Sequence, residues 1–210
     1  MDFPCSGIIL AGGRNARFNG KNKAFLQVGG EKIIDRIGQL FKEFFDEIIL
    51  VTNHPVAYLD RDFQIVTDLF PIQSPLTGIH AGLFYATHPY SFFIACDTPF
   101  LKPEMIELVL TQIEPGYDVI IPDTALGFQP LCAAYSKGCL KPIGQHLLKQ
   151  NPLPEKGRIL IQELKVRKFF ENVRLKKIPE KLLRARDPEL LSFFNINTPE
   201  DLAIAQGMSG

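Results

Sequence analysis

Residues 7–26 read Gly7-Ile8-Ile9-Leu10-Ala11-Gly12-Gly13-Arg14-Asn15-Ala16-Arg17-Phe18-Asn19-Gly20-Lys21-Asn22-Lys23-Ala24-Phe25-Leu26. An apolar strand breaks here into a glycine-rich basic loop. Gly12 and Gly13 allow a sharp turn and a close approach of backbone to a ligand, because no Cβ stands in the way. The amides exposed by such a turn form a concave anion site, and Arg14, Arg17, Lys21 and Lys23 bring positive charge to it. A polyphosphate suits that combination. The Walker A pattern G-x-x-x-x-G-K-[ST] and the dinucleotide pattern G-x-G-x-x-G are both missing, which disfavours a P-loop ATPase and a Rossmann dehydrogenase. Two glycines alone would equally fit a strand-to-loop turn with solvated charges.

Outward from this loop, apolar runs of the kind expected of buried parallel strands recur at 6–10, 47–52, 63–67, 91–96 and 118–121. Helical patterns lie between them. Ile33, Ile34, Ile37, Leu40, Phe41, Phe44 and Phe45 fall on one stripe, and Met105, Ile106, Val109, Leu110 and Ile113 follow Pro103 in a first-turn position. This alternation predicts a doubly wound α/β fold with a mostly parallel sheet, whose ligand site lies outside the carboxyl ends of the strands. Beyond Pro122 the expectation is a strand over 128–135, helices from about Lys137 and Arg158, an alternating basic stretch at 169–178, and a last helix capped by Thr198. Pro152 and Pro154 mark a loop.

The loops that follow strands carry the candidate chemistry. After the second strand, the amide of Asn53 can read a base or ribose edge, or simply begin a turn. The third leads through Asp68 to Ser74-Pro75-Leu76-Thr77-Gly78, a helix start whose amides could face a nucleotide. The fourth ends in Cys96-Asp97-Thr98-Pro99, which sets a carboxylate at the mouth of the sheet. A hard oxygen ligand opposite a phosphate loop suits a magnesium ion bridging phosphates, although Asp97 could instead cap a turn.

The 210 residues carry 23 basic and 23 acidic side chains, so no overall attraction to nucleic acid or to an anionic membrane is expected, and any anion site is local. Cys5, Cys96, Cys132 and Cys139 are scattered without zinc spacing, and no apolar stretch has the length of a membrane span. Reduced thiols in a cytoplasmic protein are the expectation. His54, His80, His88 and His146 are dispersed, and no Ser-His-Asp or Cys-His constellation is evident.

Leu10-Ala11-Gly12-Gly13 with Arg17 and Lys23, the Ser74–Ile79 helix start, Cys96-Asp97-Thr98-Pro99, Gln129-Pro130-Leu131 and the closing Asn195-Ile196-Asn197-Thr198-Pro199-Glu200-Asp201-Leu202 resemble, in order and spacing, the molybdenum cofactor guanylyltransferase (MobA) family. The resemblance spans nearly the whole chain. It implies a Rossmann-like, nucleotide-diphospho-sugar transferase-like single domain that joins GMP from GTP to the phosphate of molybdopterin, with magnesium. A nucleotide-binding part at about 1–122 and an acceptor-side part at about 123–210 follow from it. So do the roles: Lys23 and Arg17 on the triphosphate, Asp97 on the metal, and Leu10, Ala11, Gly12, Gly13, Asn53 and Asp68 around the nucleoside and phosphates. Asn195 and Asn197 face the acceptor or stabilise the turn before the last helix. The basic run Arg167, Lys168, Arg174, Lys176 and Lys177 meets the anionic pterin or forms a solvated strand face. Implied partners are GTP, molybdenum-bearing molybdopterin and, transiently, other molybdenum cofactor proteins. The chain departs from the usual family pattern at Phe18, Asn19, Asn22 and Ser74, where methionine, glycine, aspartate and glycine are usual. A cytidylyltransferase of the same fold, acting on molybdopterin or an isoprenoid precursor, and a non-catalytic nucleotide-binding homologue are the rival readings.

Overall fold

The computed structural model describes residues 4–12, 22–149 and 166–208. Gly13, Arg14, Arg17, Phe18, Asn19, Lys21, Pro152, Pro154, Arg158 and the Arg167 side chain lie outside the described residues.

Continuous apolar runs become strands because both faces of the sheet are covered. In β1 (Cys5–Leu10) every residue is buried, and so it is in β6 (Tyr90–Ala95). Successive side chains alternate between two cores. Ile9, Phe92 and Ile94 join α1 (Ile33–Phe44), α3 (Pro103–Thr111), α6 (Glu180–Arg186) and α7 (Pro199–Gly207) on one face. Ile8, Leu10 and Phe93 join α2 (Pro75–Tyr85), α4 (Leu140–Lys149) and α5 (Val166–Phe169) on the other. Among the described residues no helix is long and apolar enough to cross a membrane.

The remaining strands of the main sheet are β4 (Ile48–Val51), β5 (Gln64–Val66), β7 (Val119–Thr124), β9 (Cys132–Ser136) and β10 (Leu175–Pro179), in the order β10-β7-β9-β6-β1-β4-β5. β8 (Gly127–Phe128) folds back on β7, and β2 (Gln27–Val28) pairs with β3 (Glu31–Lys32) in a separate hairpin. β1 runs parallel to β4 and β6, β4 to β5, and β7 to β10, whereas β9 is antiparallel to both of its neighbours. The sheet is therefore mostly parallel, as the strand and helix alternation predicts.

Two expectations need correction. The run 128–135 is not one strand: β8 ends at Phe128, and Pro130 has no amide to give to a ladder, so pairing resumes only at Cys132. The stretch 169–178 is helical at its start, where Phe169 and Phe170 are buried against each other, and becomes the edge strand β10 only from Leu175. Its basic residues are engaged locally. Lys176 reaches Glu114 at 2.7 Å, Arg174 reaches Asp118 at 3.3 Å, and the Lys177 ammonium sits over the Phe128 ring.

Gly7 marks where α1 packs hardest on β1. A Cβ there would lie 2.5 Å from Phe45 Cδ2 and 2.7 Å from Phe41 Cδ2, and both rings also pack against Phe92. Gly7→Ala is expected to lower stability by about 2 kcal/mol through overpacking, read as a lower urea midpoint at unchanged slope. An unchanged midpoint would mean that the aromatic stack yields freely.

Candidate active site

Strand register gathers the site. Leu10 stands beside Val51 on one side and Ala95 on the other, and Val51 beside Val66, so β1, β4, β5 and β6 end in one row. The next backbone bonds carry the row outward: the Ala11 amide donates to the Val51 carbonyl at 2.9 Å, Cys96 to Leu10 at 3.0 Å, and Thr52 to Val66 at 2.9 Å. A crevice of about 140 Å³ opens there, and Leu10, Ala11, Gly12, Lys23, Cys96 and Asp97 contribute to its walls. A larger hollow near Asp46, Glu47 and Asp62 lies at the start of β4 and β5, away from the strand ends that the α/β architecture uses for ligands.

Lys23 and Asp97, 74 residues apart, meet at this crevice. The Lys23 ammonium donates to Asp97 Oδ2 at 3.0 Å and to Asn197 Oδ1 at 3.1 Å. Both members of the ion pair keep a little under one-fifth of their side-chain surface exposed, so the pair is accessible to a ligand. Lys23 is aimed by a short 3-10 turn, Lys23–Phe25, which Asn22 caps. Asn22 accepts from the Ala24 amide at 3.1 Å and donates to the hydroxyl of buried Tyr58 at 2.7 Å. An asparagine offers an acceptor and a donor at once, which accounts for its fit where an aspartate is usual. Burial pushes the Tyr58 hydroxyl well up from the ordinary tyrosine range, so it stays a neutral partner.

Ser74 likewise has a structural role. Its hydroxyl accepts from the Thr77 amide at 3.2 Å while Thr77 Oγ1 serves Ser74 in return, a capping box that starts α2. Pro75 has no amide and that of Thr77 is taken, so the first turn offers a nucleotide fewer donors than the sequence suggests.

Asn53 and Asp68 are brought to each other rather than to Lys23. The Asn53 amide donates to Asp68 Oδ2 at 2.8 Å and its oxygen accepts from the Asp68 amide at 3.4 Å, which links the ends of β4 and β5. Burial raises the Asp68 carboxyl and the Asn53 hydrogen bond partly offsets that rise. The two closing asparagines also separate. Asn195 accepts from the Thr98 hydroxyl and donates to the Phe193 carbonyl, both at 3.1 Å, so its amide secures the turn. Asn197 faces Lys23. The Ile196 amide donates to the Asp97 carbonyl at 2.9 Å, and Asp201 accepts from the Asn197 and Thr198 amides, both at 2.8 Å, which holds the Asp201 carboxyl below the usual carboxylate range. The reciprocal cap of α7 is thus Asp201, two residues past Pro199.

Sequence reasoning missed the Lys23–Asn197 contact and the wall formed by Leu131; the only signal for either was their place in the family pattern. His88 is far off, 3.1 Å from Ser6 Oγ at the opening residues of β1 and β6. All four cysteines are free thiols. Burial raises the Cys96 thiol far above its ordinary range, so it is no thiolate nucleophile.

Among the described residues no group of three His, Cys, Asp or Glu side chains forms a self-sufficient metal cage. A magnesium ion does not need one, since it takes one or two carboxylates together with waters and substrate phosphates. Asp97, a hard oxygen donor beside the only basic side chain on the crevice wall among the described residues, fits that requirement.

Residues 7–167 match the MobA-like NTP transferase domain. The chain is 44% identical over 201 residues, 96% of its own length and 94% of the relative's, to the molybdenum cofactor guanylyltransferase of Desulfosudis oleivorans. The crystal structure of molybdopterin-guanine dinucleotide biosynthesis protein A from Archaeoglobus fulgidus superposes with a TM-score of 0.81 at 26% identity, covering 97% of each chain. A nucleotidyl transferase from Methanothermobacter thermautotroptrophicus, at 20% identity and a TM-score of 0.70, covering 98% of this chain and 97% of its own, shares the fold.

Proposed function

Because the chain belongs to the MobA-like NTP transferase family, we propose that it is a molybdenum cofactor guanylyltransferase, which transfers GMP from GTP to the phosphate of molybdopterin and releases pyrophosphate. The observation that carries nucleotidyl transfer is the meeting of Lys23 and Asp97 beside Gly12 at the carboxyl edge of the sheet. The choice of guanine is supported by the Desulfosudis relative.

A phosphate oxygen of molybdopterin attacks the α-phosphorus of GTP. The new P–O bond forms as the bond from that phosphorus to the bridging oxygen breaks, and pyrophosphate departs with that oxygen. The chain supplies no nucleophile of its own. Its work is to hold two anions in line and to neutralise charge. Lys23, with Arg17, binds the triphosphate and the leaving pyrophosphate; the amides at Gly12 and Gly13 cradle phosphate. Asp97 would hold magnesium, which when bound supplies further neutralisation of the phosphates. Asn53 and Asp68 take the base and ribose side after giving up their mutual hydrogen bonds. Asn197 serves the acceptor, and Asn195 orients the turn that carries it. The nucleotide part, about 1–122, and the acceptor part, about 123–210, form one site in the cytoplasm, a compartment that suits four free thiols.

Calorimetric titration with GTP, CTP and ATP in the presence of magnesium tests the proposal. GTP is expected to bind tightest. Tighter binding of CTP would move the protein to the cytidylyltransferases, and tight GTP binding without turnover on molybdopterin would leave a nucleotide-binding homologue.

A further inference from the structure

Arg36 touches neither the crevice nor its ligands, yet its guanidinium joins the two chain segments that carry the central ion pair. It sits in the first turn of α1. One Nη donates to the Val28 carbonyl at 2.9 Å, the other to the Pro99 carbonyl at 3.3 Å, and Nε donates to Glu31 Oε2 at 3.2 Å. Val28 closes the segment that begins with Lys23, and Pro99 lies two residues beyond Asp97.

The first segment leads from a 3-10 turn into the β2-β3 hairpin and the second follows the end of β6 in the eight-stranded main sheet, so no shared ladder sets one against the other. A planar guanidinium with donors in a fixed fork sets the separation of two carbonyls, which a lysine ammonium at the end of a flexible stem does not. The position is also a poor one for helix stability. A cation near a helix N-terminus opposes the macrodipole, and α1 already begins at Lys32 without a side-chain cap.

We propose that Arg36 is a positioning residue for nucleotidyl transfer: by bridging Val28 and Pro99 it fixes the spacing of Lys23 and Asp97 and thereby the register of the triphosphate against its charge-neutralising groups. The proposal rests on the phosphate-site reading above and is independent of which base is bound.

The test compares wild type, Arg36→Lys, Lys23→Met and the double variant in the full chain. Three quantities are measured: the ligand-free unfolding midpoint, turnover, and the affinity for the nucleoside triphosphate that the wild type binds tightest, with and without magnesium. Arg36→Lys is expected to unfold cooperatively at nearly the wild-type temperature, to lower kcat about tenfold with KM within about twofold, and to shrink the magnesium-dependent gain in nucleotide affinity. In the Lys23→Met background the same change is expected to cost less than about twofold, because a positioning residue acts through the group it positions. Equal losses in both backgrounds, or an Arg36→Lys variant with wild-type turnover and affinity, would overturn the proposal. Where Arg36→Lys fails to unfold cooperatively, Arg36 is a fold anchor and the proposal falls. Preference for a nucleotide other than GTP would sink the guanylyl assignment and leave the Arg36 comparison standing, read on affinity. A wild type that binds no nucleoside triphosphate takes both down.

Discussion

Asp97→Asn lowers turnover by about a hundredfold or more while the ligand-free unfolding midpoint scarcely moves. The first half follows from chemistry. An amide oxygen is a weak ligand for a hard cation, and Lys23 loses the charge that holds it at 3.0 Å in the crevice. The second half follows from exposure. An ion pair with nearly one-fifth of each side chain in water contributes at most about 1 kcal/mol, and the isosteric amide can still accept from Lys23. Raised magnesium is expected to restore part of the rate. Steady-state kinetics over a magnesium series, with a thermal melt of each protein, decides the matter. Full activity at ordinary magnesium removes Asp97 from the mechanism, and collapse of the fold makes it a structural carboxylate.

The largest stability effect is expected far from the reacting atoms, at Asp187. This carboxylate is fully buried, with Lys102 Nζ at 2.8 Å from Oδ1 and the Ser192 amide at 2.7 Å from Oδ2. Burial alone would raise its pKa, but the hydrogen bonds from Lys102 and Ser192 outweigh it and hold the carboxyl below the usual range. Asp187→Ala leaves a buried amide unpaired and Lys102 without its counter-ion. Lys102 is more than one-third exposed and can turn to water, so the cost is near the low end for broken buried pairs, about 3 kcal/mol, or about 6–12 °C in Tm. The sign with pH is fixed by the depressed carboxyl. Its contribution is fully present above the unfolded value near about 4 and is lost as pH falls through the folded value. The gap between variant and wild type in urea midpoint is therefore expected to hold at neutral pH and narrow in acid. A gap independent of pH would mean that the ion pair contributes nothing beyond packing. Because Asp187 orders the turn at Ser192 that precedes Asn195 and Asn197, the variant should also weaken acceptor binding.

What the sequence made legible followed from local physics. The runs at 6–10 and 91–96 are apolar without alternation because helices cover both faces of β1 and β6. The site edge followed from the strand and helix alternation, and Lys23 and Asp97 do meet there. What stayed hidden depends on pairs distant in the chain. Nothing near Asn22 announces Tyr58, 36 residues on, nor does anything near Asn53 announce that its amide is engaged by Asp68. The β2-β3 hairpin did leave a local trace, in Gly29 and Gly30 at φ of 61° and 79°, where a two-residue turn needs left-handed backbone. The run 128–135 misled because its apolar and aromatic composition hides the break at Pro130, which has no amide to give to a ladder, so that pairing stops at Phe128 and resumes only at Cys132.

The reversed strand β9 has a consequence for how the chain is made. It stands between β6 and β7, so a nascent chain that has emerged only as far as residue 122 carries Tyr90–Ala95 as an open sheet margin, six residues long and wholly buried in the finished protein. Such a margin invites pairing with a neighbouring chain. β7, made before β9, has no place beside β6 until those later residues arrive, because the β6-to-β9 and β9-to-β7 ladders supply its only route into the sheet's centre. Synthesis order and sheet order thus run out of step, and through the interval between them the β6 margin stays open to pairing with another chain.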